Sequence, residues 1–350
     1  MRNQPFISVI IPIYNGSRYL NQCLDAVIKS PYAGFEIIAV DDASTDDSVE
    51  ICRKKGITVL QMPRQSGPAA ARNYGATKTR GDILLFIDSD VLVKEDTISR
   101  VAADFINTPE IAAVFGSYDD GPGEADFVSQ FRNLLHHFIH QSSNQEAKTF
   151  WSGCGAVYRE IFLKLKGFDE GWFSIEDIEL GYRICNAGYR ILLDKELQVK
   201  HLKHWGWRNW VKTDILYRAV PWSKLILSSG RFPHDLNLQT SHVISAFLVD
   251  LLILTIPLSF LETNNYLGIP LRTIFILLSL LLVITVIILN RALYRFFLHK
   301  KGIKFTILSI PAHFFYYFYS SVAFAACWAL SKLTRSIPRL KKLNPLERNR

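Results

Sequence analysis

From Val243 onward the chain carries two long apolar runs, VISAFLVDLLILTIPLSFL (243–261) and IPLRTIFILLSLLLVITVIIL (269–289). Each is long enough to cross a bilayer as a helix, which takes about 20 residues. A third run, FTILSIPAHFFYYFYSSVAFAACWAL (305–330), is more aromatic and is interrupted by Pro311. Any fold for this chain must combine a water-soluble part with one that seeks apolar surroundings. Asp250 and Arg272 are the only charges inside the first two runs, and the simplest role for them is to pair.

The net charge of +8 resembles a nucleic-acid signal until it is located. Residues 1–242 hold 27 Lys and Arg against 29 Asp and Glu, whereas residues 243–350 hold 13 against 3. The basic excess flanks the apolar runs, as membrane anchoring requires, and argues against nucleic-acid binding. The segment between the first two runs, ETNNYLG, has no basic residue, and NRALYRFFLHKKGIK, read as a loop, has five. That asymmetry places the basic loop and the N-terminal head on the cytoplasmic side of a multi-pass membrane protein. The tail after Leu330 adds seven more basic residues. Three full spans would put that tail outside, so either the third run lies in the interface or dips in and returns, or the charge rule fails here.

Five scattered cysteines form no CxxC pair and no disulfide framework, as in a reduced cytosolic domain. The opening MRNQPFISVIIPIYN lacks the long apolar core of a signal peptide, and FISVIIPIY reads as a first strand.

The first hundred residues alternate between strand and helix patterns. FISVIIPIYN, FEIIAVDDAS, ITVLQMP and DILLFIDSD read as strands, and SRYLNQCLDAVIKS, TDDSVEICRKKG and GPAAARNYGATKTRG as helices. This predicts an α/β fold with a mostly parallel sheet. In such sheets ligands bind beyond the carboxyl ends of the strands. The clusters Tyr14–Asn15, Asp41–Asp42 and Asp88–Ser89–Asp90 fall at those ends.

Asp88 and Asp90 end an apolar run. Two residues apart on a strand, they are expected on one face, where their charges repel. A divalent cation reverses that repulsion. Oxygen ligands without cysteine suit Mg²⁺ or Mn²⁺, and Mg²⁺ completes its shell with substrate phosphates. His136, His137 and His140 in FVSQFRNLLHHFIHQ lack an acid or cysteine to complete a ligand set and read as polar helix-face residues. WSGCGAVYRE reads as a glycine-rich turn ahead of a helix with Glu176, Asp177 and Glu179. HLKHWGWRNWVKTDILYRAVPWSKLIL interleaves four of the seven tryptophans with Lys and Arg, the pattern of helices in a headgroup layer.

SVIIPIYNGSRYL, IIAVDDASTDDS, GPAAARNYGA, LLFIDSD, WSGCGAVYRE and FDEGWFSIEDIELGYRICNAGYRI occur in this order over about residues 6–205. The set resembles the family 2 inverting glycosyltransferases. The resemblance implies a nucleotide-diphospho-sugar transferase (GT-A-like) domain and a nucleotide-diphosphate-sugar donor. It implies that Pro12 and Tyr14 line the base pocket, with Tyr14 stacking on the base. Asp42 accepts from the base, Asp41 supports the turn, and Arg72 and Asn73 face the nucleotide or diphosphate. Asp88 touches the ribose or sugar, and Asp90 holds the metal with His201, for which His204 is the rival. IEDIEL resembles the family's acidic motif, which makes Asp177 the base and leaves Glu176 and Glu179 as fallbacks. On a helix Glu176 and Glu179 share a face while Asp177 points about 100° away. Trp151, Gly153 and Glu176 fall on the acceptor side, Trp151 as a stacking platform. The QxxRW motif of the processive synthases is replaced by YRAVPW, which weakens a polymer-synthase reading.

The expected organisation is a catalytic domain over 1–205, an interfacial segment over 206–242, a membrane region over 243–330 and a basic tail over 331–350. The expected activity is metal-dependent sugar transfer to a lipid or lipid-linked glycan at the cytoplasmic membrane face. Two alternatives stand beside it. One is a polyprenyl-phosphate sugar synthase, and the other a catalytically silent membrane-bound scaffold.

Overall fold

The computed structural model describes residues 4–230, 236, 239–260, 265–266 and 269–334. Most of the basic tail, and much of the segment between the first two apolar runs, lie outside the described residues. The chain divides into two compact units, one reaching Trp210 and the other beginning at Val211.

The first unit is built on a nine-stranded sheet. Its strands are β1 (Ile7–Ile13), β2 (Phe35–Asp41), β3 (Thr58–Gln61), β4 (Ile83–Ile87), β5 (Val91–Leu92), β6 (Ile111–Tyr118), β7 (Glu146–Ala147), β8 (Cys154–Tyr158) and β9 (Arg190–His201). Its helices are α1 (Ser17–Ile28), α2 (Ser48–Lys54), α3 (Pro68–Lys78), α4 (Thr97–Asn107), α5 (Phe127–Ser142), α6 (Arg159–Lys164) and α7 (Glu176–Asn186). The strand order is β3-β2-β1-β4-β8-β6-β9-β5, with β7 pairing on β9. Strands β1, β2, β3, β4, β6 and β9 run in one direction, and β8, β5 and β7 oppose them.

β1 and β4 are buried along their whole length, as befits β-branched and apolar strands covered on both faces. Pro12 sits near the end of β1, beyond Ile10, where the pairing with β4 stops, so its missing N–H breaks no bond to that neighbour. α3 packs against β1 and β2 at Gly75, where a Cβ would lie 2.7 Å from Ile10 and 2.9 Å from Val40. WSGCGAVYRE differs from the turn expected of it. Cys154–Tyr158 forms β8, an interior antiparallel strand between β4 and β6. Five residues with a central glycine carry too little periodicity to announce a strand.

The second unit is helical. After α8 (Trp207–Asp214), one π-turn (Ile215–Ala219) leads to α9 (Val220–Ser229), α10 (Thr240–Leu258), α11 (Leu271–Leu289) and α12 (Arg291–Thr334). Helices α10, α11 and α12 are long and apolar enough to cross a membrane. The basic segment after Asn290, expected as a loop, is helical, because Leu293, Tyr294 and Phe297 are buried at helical spacing. α12 is broken at Gly302, whose φ of 78° is left-handed, and continues through Pro311. Asp250 accepts from Ser321 Oγ at 2.7 Å. The Trp-rich stretch splits: Trp205 and Trp210 are buried, with Arg132 over Trp205 and Phe131 against Trp210, whereas Trp207 is 55% exposed.

Candidate active site

The carboxyl ends of β1, β2 and β4 converge. Beyond β1, Tyr14 is 38% exposed, and Asn15 has a left-handed φ of 49°. The Asn15 side-chain oxygen accepts from Thr45 N at 2.8 Å, which joins the loops after β1 and β2. Asp41 accepts from Ser44 N at 3.1 Å and so caps its own turn. Asp42 is buried and accepts from Ser66 N at 2.6 Å and Gly67 N at 2.7 Å, one on each oxygen. Its carboxylate therefore anchors the loop that opens α3. Asp42 borders the expected base pocket as a residue already committed to protein amides.

The strand β4 stops at Ile87, and Asp88–Ser89–Asp90 form a tight turn closed by Val91 N donating to Asp88 O at 3.1 Å. The expectation that both aspartates share a strand face does not hold. The turn sends them apart: Asp88 accepts from Arg72 Nη2 at 2.7 Å, and Asp90 Oδ2 lies 3.8 Å from His201 Nε2. Burial alone would raise the Asp90 pKa, but the neighbouring imidazole of His201 and the charge of Lys203 hold it below the usual carboxylate range.

Arg72 is 4% exposed. Its second nitrogen, Nη1, donates to Glu176 Oε1 at 2.9 Å, and its guanidinium lies over the Phe168 ring. It is thus shared between two carboxylates rather than open to solvent. Asn73, expected toward the nucleotide, uses its amide on the backbone of Phe168. It donates to Phe168 O at 2.9 Å and accepts from Phe168 N at 2.8 Å. Both residues of the ARN motif thus grip the segment leading into α7.

Across from Asp88 stand Trp151, Ser152 and Gly153. Gly153 O accepts from Asp88 N at 3.2 Å. The space a Cβ would take at Gly153 holds the Trp151 indole, 2.3 Å away, so this glycine makes room for the tryptophan. Ser152 is buried and donates to Asp177 Oδ2 through its N at 3.0 Å and its Oγ at 3.1 Å. Glu176 opens α7 just after Ser174, another left-handed non-glycine residue at φ 62°. It was expected on the acceptor side, but it is 4% exposed and turned inward onto Arg72, with Oε2 unpartnered. Burial, against the opposing charge of Arg72, pushes its pKa up to about 7. Glu179 is gripped by Arg183 Nε at 2.8 Å and Nη2 at 2.7 Å, an ion pair that removes it from the reacting region. Of the three acids, Asp177 alone faces Ser152.

β9 brings His201 to the site through its pairing with Val91, and Tyr118 stacks flat on the imidazole, 4.2 Å away at 13°. His204 instead lies 3.6 Å from Asp126. His137 and His140 bond the carbonyls of Tyr118 and Gly116 through Nδ1, and His136 stands between Tyr118 and Trp151. They pack the site wall from behind. Among the described residues no group of three or more His, Cys, Asp or Glu side chains forms a complete metal cage. The gap between Asp90 and His201 is too long for a hydrogen bond. The two side chains would suit a divalent ion that takes its remaining ligands from phosphate oxygens. Sequence reasoning missed Ser152 and Tyr118, because neither residue type nor spacing marks a serine or tyrosine as a partner of a distant side chain.

Residues 8–165 match the family described as Glycosyl transferase family 2. That region is a family 2 glycosyltransferase domain. Glycosyltransferase GlyG of Streptococcus pneumoniae is 37% identical over 180 residues, 48% of this chain and 60% of that protein. An uncharacterized glycosyltransferase of Haemophilus influenzae is 36% identical over 121 residues, 33% of this chain and 48% of that one. The chain thus spans about half the length of the curated relatives it matches. The mannosyltransferase PcManGT from Pyrobaculum calidifontis, solved with GDP-Man and Mn²⁺, superposes with a TM-score of 0.52 over 95% of this chain and 88% of its own, at 17% identity. That likeness extends the GT-A-like fold to the sheet described above. The family match ends before Asp177 and His201, so these two stand on geometry and motif alone.

Proposed function

We propose that this glycosyltransferase moves a sugar from a nucleotide-diphosphate donor to a hydroxyl of a lipid or lipid-linked glycan, with inversion, at the cytoplasmic face of a membrane. One observation carries the reading. Ser152 holds Asp177, and its neighbour Gly153 accepts from Asp88 N in the turn from which Asp88 and Asp90 diverge. Tyr14 and Pro12 border the base, with Asp42 fixing the loop beneath it. Asp88 faces the donor sugar or ribose, and Trp151 and Gly153 form the acceptor wall.

In the reaction the acceptor oxygen attacks the anomeric carbon while the bond from that carbon to the diphosphate oxygen breaks. Asp177 takes the hydroxyl proton as the new bond forms, and the electron pair leaves with the nucleoside diphosphate. Asp90 and His201 would hold Mg²⁺ or Mn²⁺, which supplies positive charge to the departing phosphates. PcManGT, of the same fold, was solved with Mn²⁺ and GDP-Man, which supports a divalent ion and a nucleotide sugar here. Helices α10, α11 and α12 support membrane anchoring, and a lipid acceptor follows from it.

The test is incubation of full-length protein in membranes with radiolabelled UDP-N-acetylglucosamine or GDP-mannose and Mn²⁺. Label is expected in the organic phase. It is expected to fall about 10²–10⁴-fold in Asp177→Asn, the range of a lost general base. Label confined to water-soluble product would sink the lipid acceptor, and full transfer by Asp177→Asn would sink the base assignment.

A further inference from the structure

Asp88 and Asp177 are joined by two independent routes that close into a ring. On one side Asp88 N donates to Gly153 O at 3.2 Å, and the neighbouring Ser152 donates to Asp177 Oδ2 through N and Oγ. On the other, Asp88 Oδ1 accepts from Arg72 Nη2 at 2.7 Å, and Arg72 Nη1 donates to Glu176 Oε1 at 2.9 Å. Glu176 and Asp177 are consecutive at the start of α7, so the second route returns to the first. The ring therefore ties the end of β4, the start of β8 and the first turn of α7.

Three facts set this ring apart from ordinary packing. Arg72 and Glu176 are each 4% exposed, so their ion pair is shielded from water. Both guanidinium NH₂ groups are engaged in a fork, which fixes orientation as well as distance. Arg72 Nε and Glu176 Oε2 are buried without partners. A pair optimised for stability alone would not leave two polar atoms unsatisfied.

We propose that Arg72 and Glu176 are positioning residues that set the gap between Asp88 on the donor side and Asp177 on the acceptor side. The proposal rests on the reading of Asp177 as the base. It removes Arg72 from the set of residues that bind the diphosphate, because its charge is already divided between Asp88 and Glu176. Ser152 completes the ring from the opposite side. Because a displacement of about 1 Å at a reacting group can cost a hundredfold in rate, loosening the ring acts on turnover before it acts on binding.

The experiment compares Glu176→Gln, Arg72→Lys, the double variant, Ser152→Ala and Asp177→Asn in full-length protein, with transfer from the two labelled donors and UDP or GDP affinity in Mn²⁺ by calorimetry. Glu176→Gln keeps the shape of the side chain and Arg72→Lys keeps the charge, while Ser152→Ala removes a single oxygen and guards against loss of folding in the other two. Each single ring variant is expected to lower kcat, by about tenfold to a hundredfold for Glu176→Gln and Arg72→Lys. Nucleoside-diphosphate affinity is expected to stay within about twofold, because the residues changed act through Asp88 and Asp177 rather than on the nucleotide itself. The double variant is expected to be no slower than the slower single one, as for two parts of one device. Diphosphate affinity falling in step with kcat would overturn the proposal, as would losses that multiply. So would Glu176→Gln turning over normally while Asp177→Asn is dead. If Asp177→Asn itself turns over normally, the base assignment fails and the ring's role fails with it, an outcome distinct from failure of the ring alone.

Discussion

In the head, Arg72 and Glu176 bury opposite charges 2.9 Å apart, and each keeps one polar atom without a partner. In the helical unit the buried polar side chains are neutral apart from Asp214, whose carboxylate accepts from Tyr319 OH at 2.8 Å. Asn290 donates to Ser245 Oγ and to Val286 O, both at 2.9 Å, and accepts from Tyr317 OH at 2.7 Å. Tyr294 OH bonds His313 Nδ1 at 3.0 Å. Ser245 lies on α10 and Tyr317 on α12, with Asn290 between α11 and α12, so this one amide clasps three helices. Among the described residues no buried side-chain nitrogen or oxygen of the helical unit lacks a partner. Neutral, mutually satisfied polar groups are what apolar helices use as glue. Charged and incompletely satisfied ones are costly, and the head tolerates that cost where two loops must be held in one geometry.

The contrast breaks most visibly at Arg72. Arg72→Ala strands the buried carboxylate of Glu176 and the half-buried one of Asp88, and thermal unfolding of the protein in detergent is expected to show a loss of about 3–5 kcal/mol. Arg72→Met combined with Glu176→Leu removes both charges and is expected to recover much of that stability with no recovery of transfer. A smaller effect is expected in the helical unit. Asn290→Leu forfeits the clasp and is expected to cost about 1–2 kcal/mol, read by the same melt, with turnover per folded molecule retained.

The smallest effect concerns pH. Asp104 is partly buried, and burial together with the charge of Asp194 raises its pKa to about 7. Its folded value exceeds its unfolded one. The stability due to the protonated form is therefore complete below about pH 4 and is lost as pH rises through 7. Asp104→Asn is accordingly expected to raise the melting temperature more at pH 8 than at pH 5. Equal gains at both would place the pH dependence of the head elsewhere.

Much of this contrast could be read from residues alone. FISVIIPIY and ILLFI announce buried strands because β-branched runs admit few alternatives, and the polar residues that follow them fall in the turns after β1 and β4. IEDIEL pointed to Asp177 through its resemblance to the family's acidic motif, and the helical period sets that residue apart from Glu176 and Glu179. Other features depend on distant segments. Asp88 and Asp90 part because one meets α3 and the other meets β9, neither of which is local to the turn. Ser152 reaches Asp177, and Tyr118 reaches His201, through strand pairings that residue type does not encode. The first part of α12 looked like a loop because its Arg and Lys residues masked a narrow apolar stripe.

The edge pairing of β5 carries a consequence for how the head is made. Val91 and Leu92 pair with His201 and Lys200, and β5 has β9 as its partner in the sheet. Synthesis delivers the turn at Asp88 long before the segment that completes it, and such distant pairings form late because loop closure precedes any gain. A nascent chain that has emerged only as far as the turn after β4 already holds Arg72 for Asp88, but not yet His201 for Asp90. Asp90 gains its neighbour only when β9 docks, so the candidate site is completed in one late step rather than strand by strand.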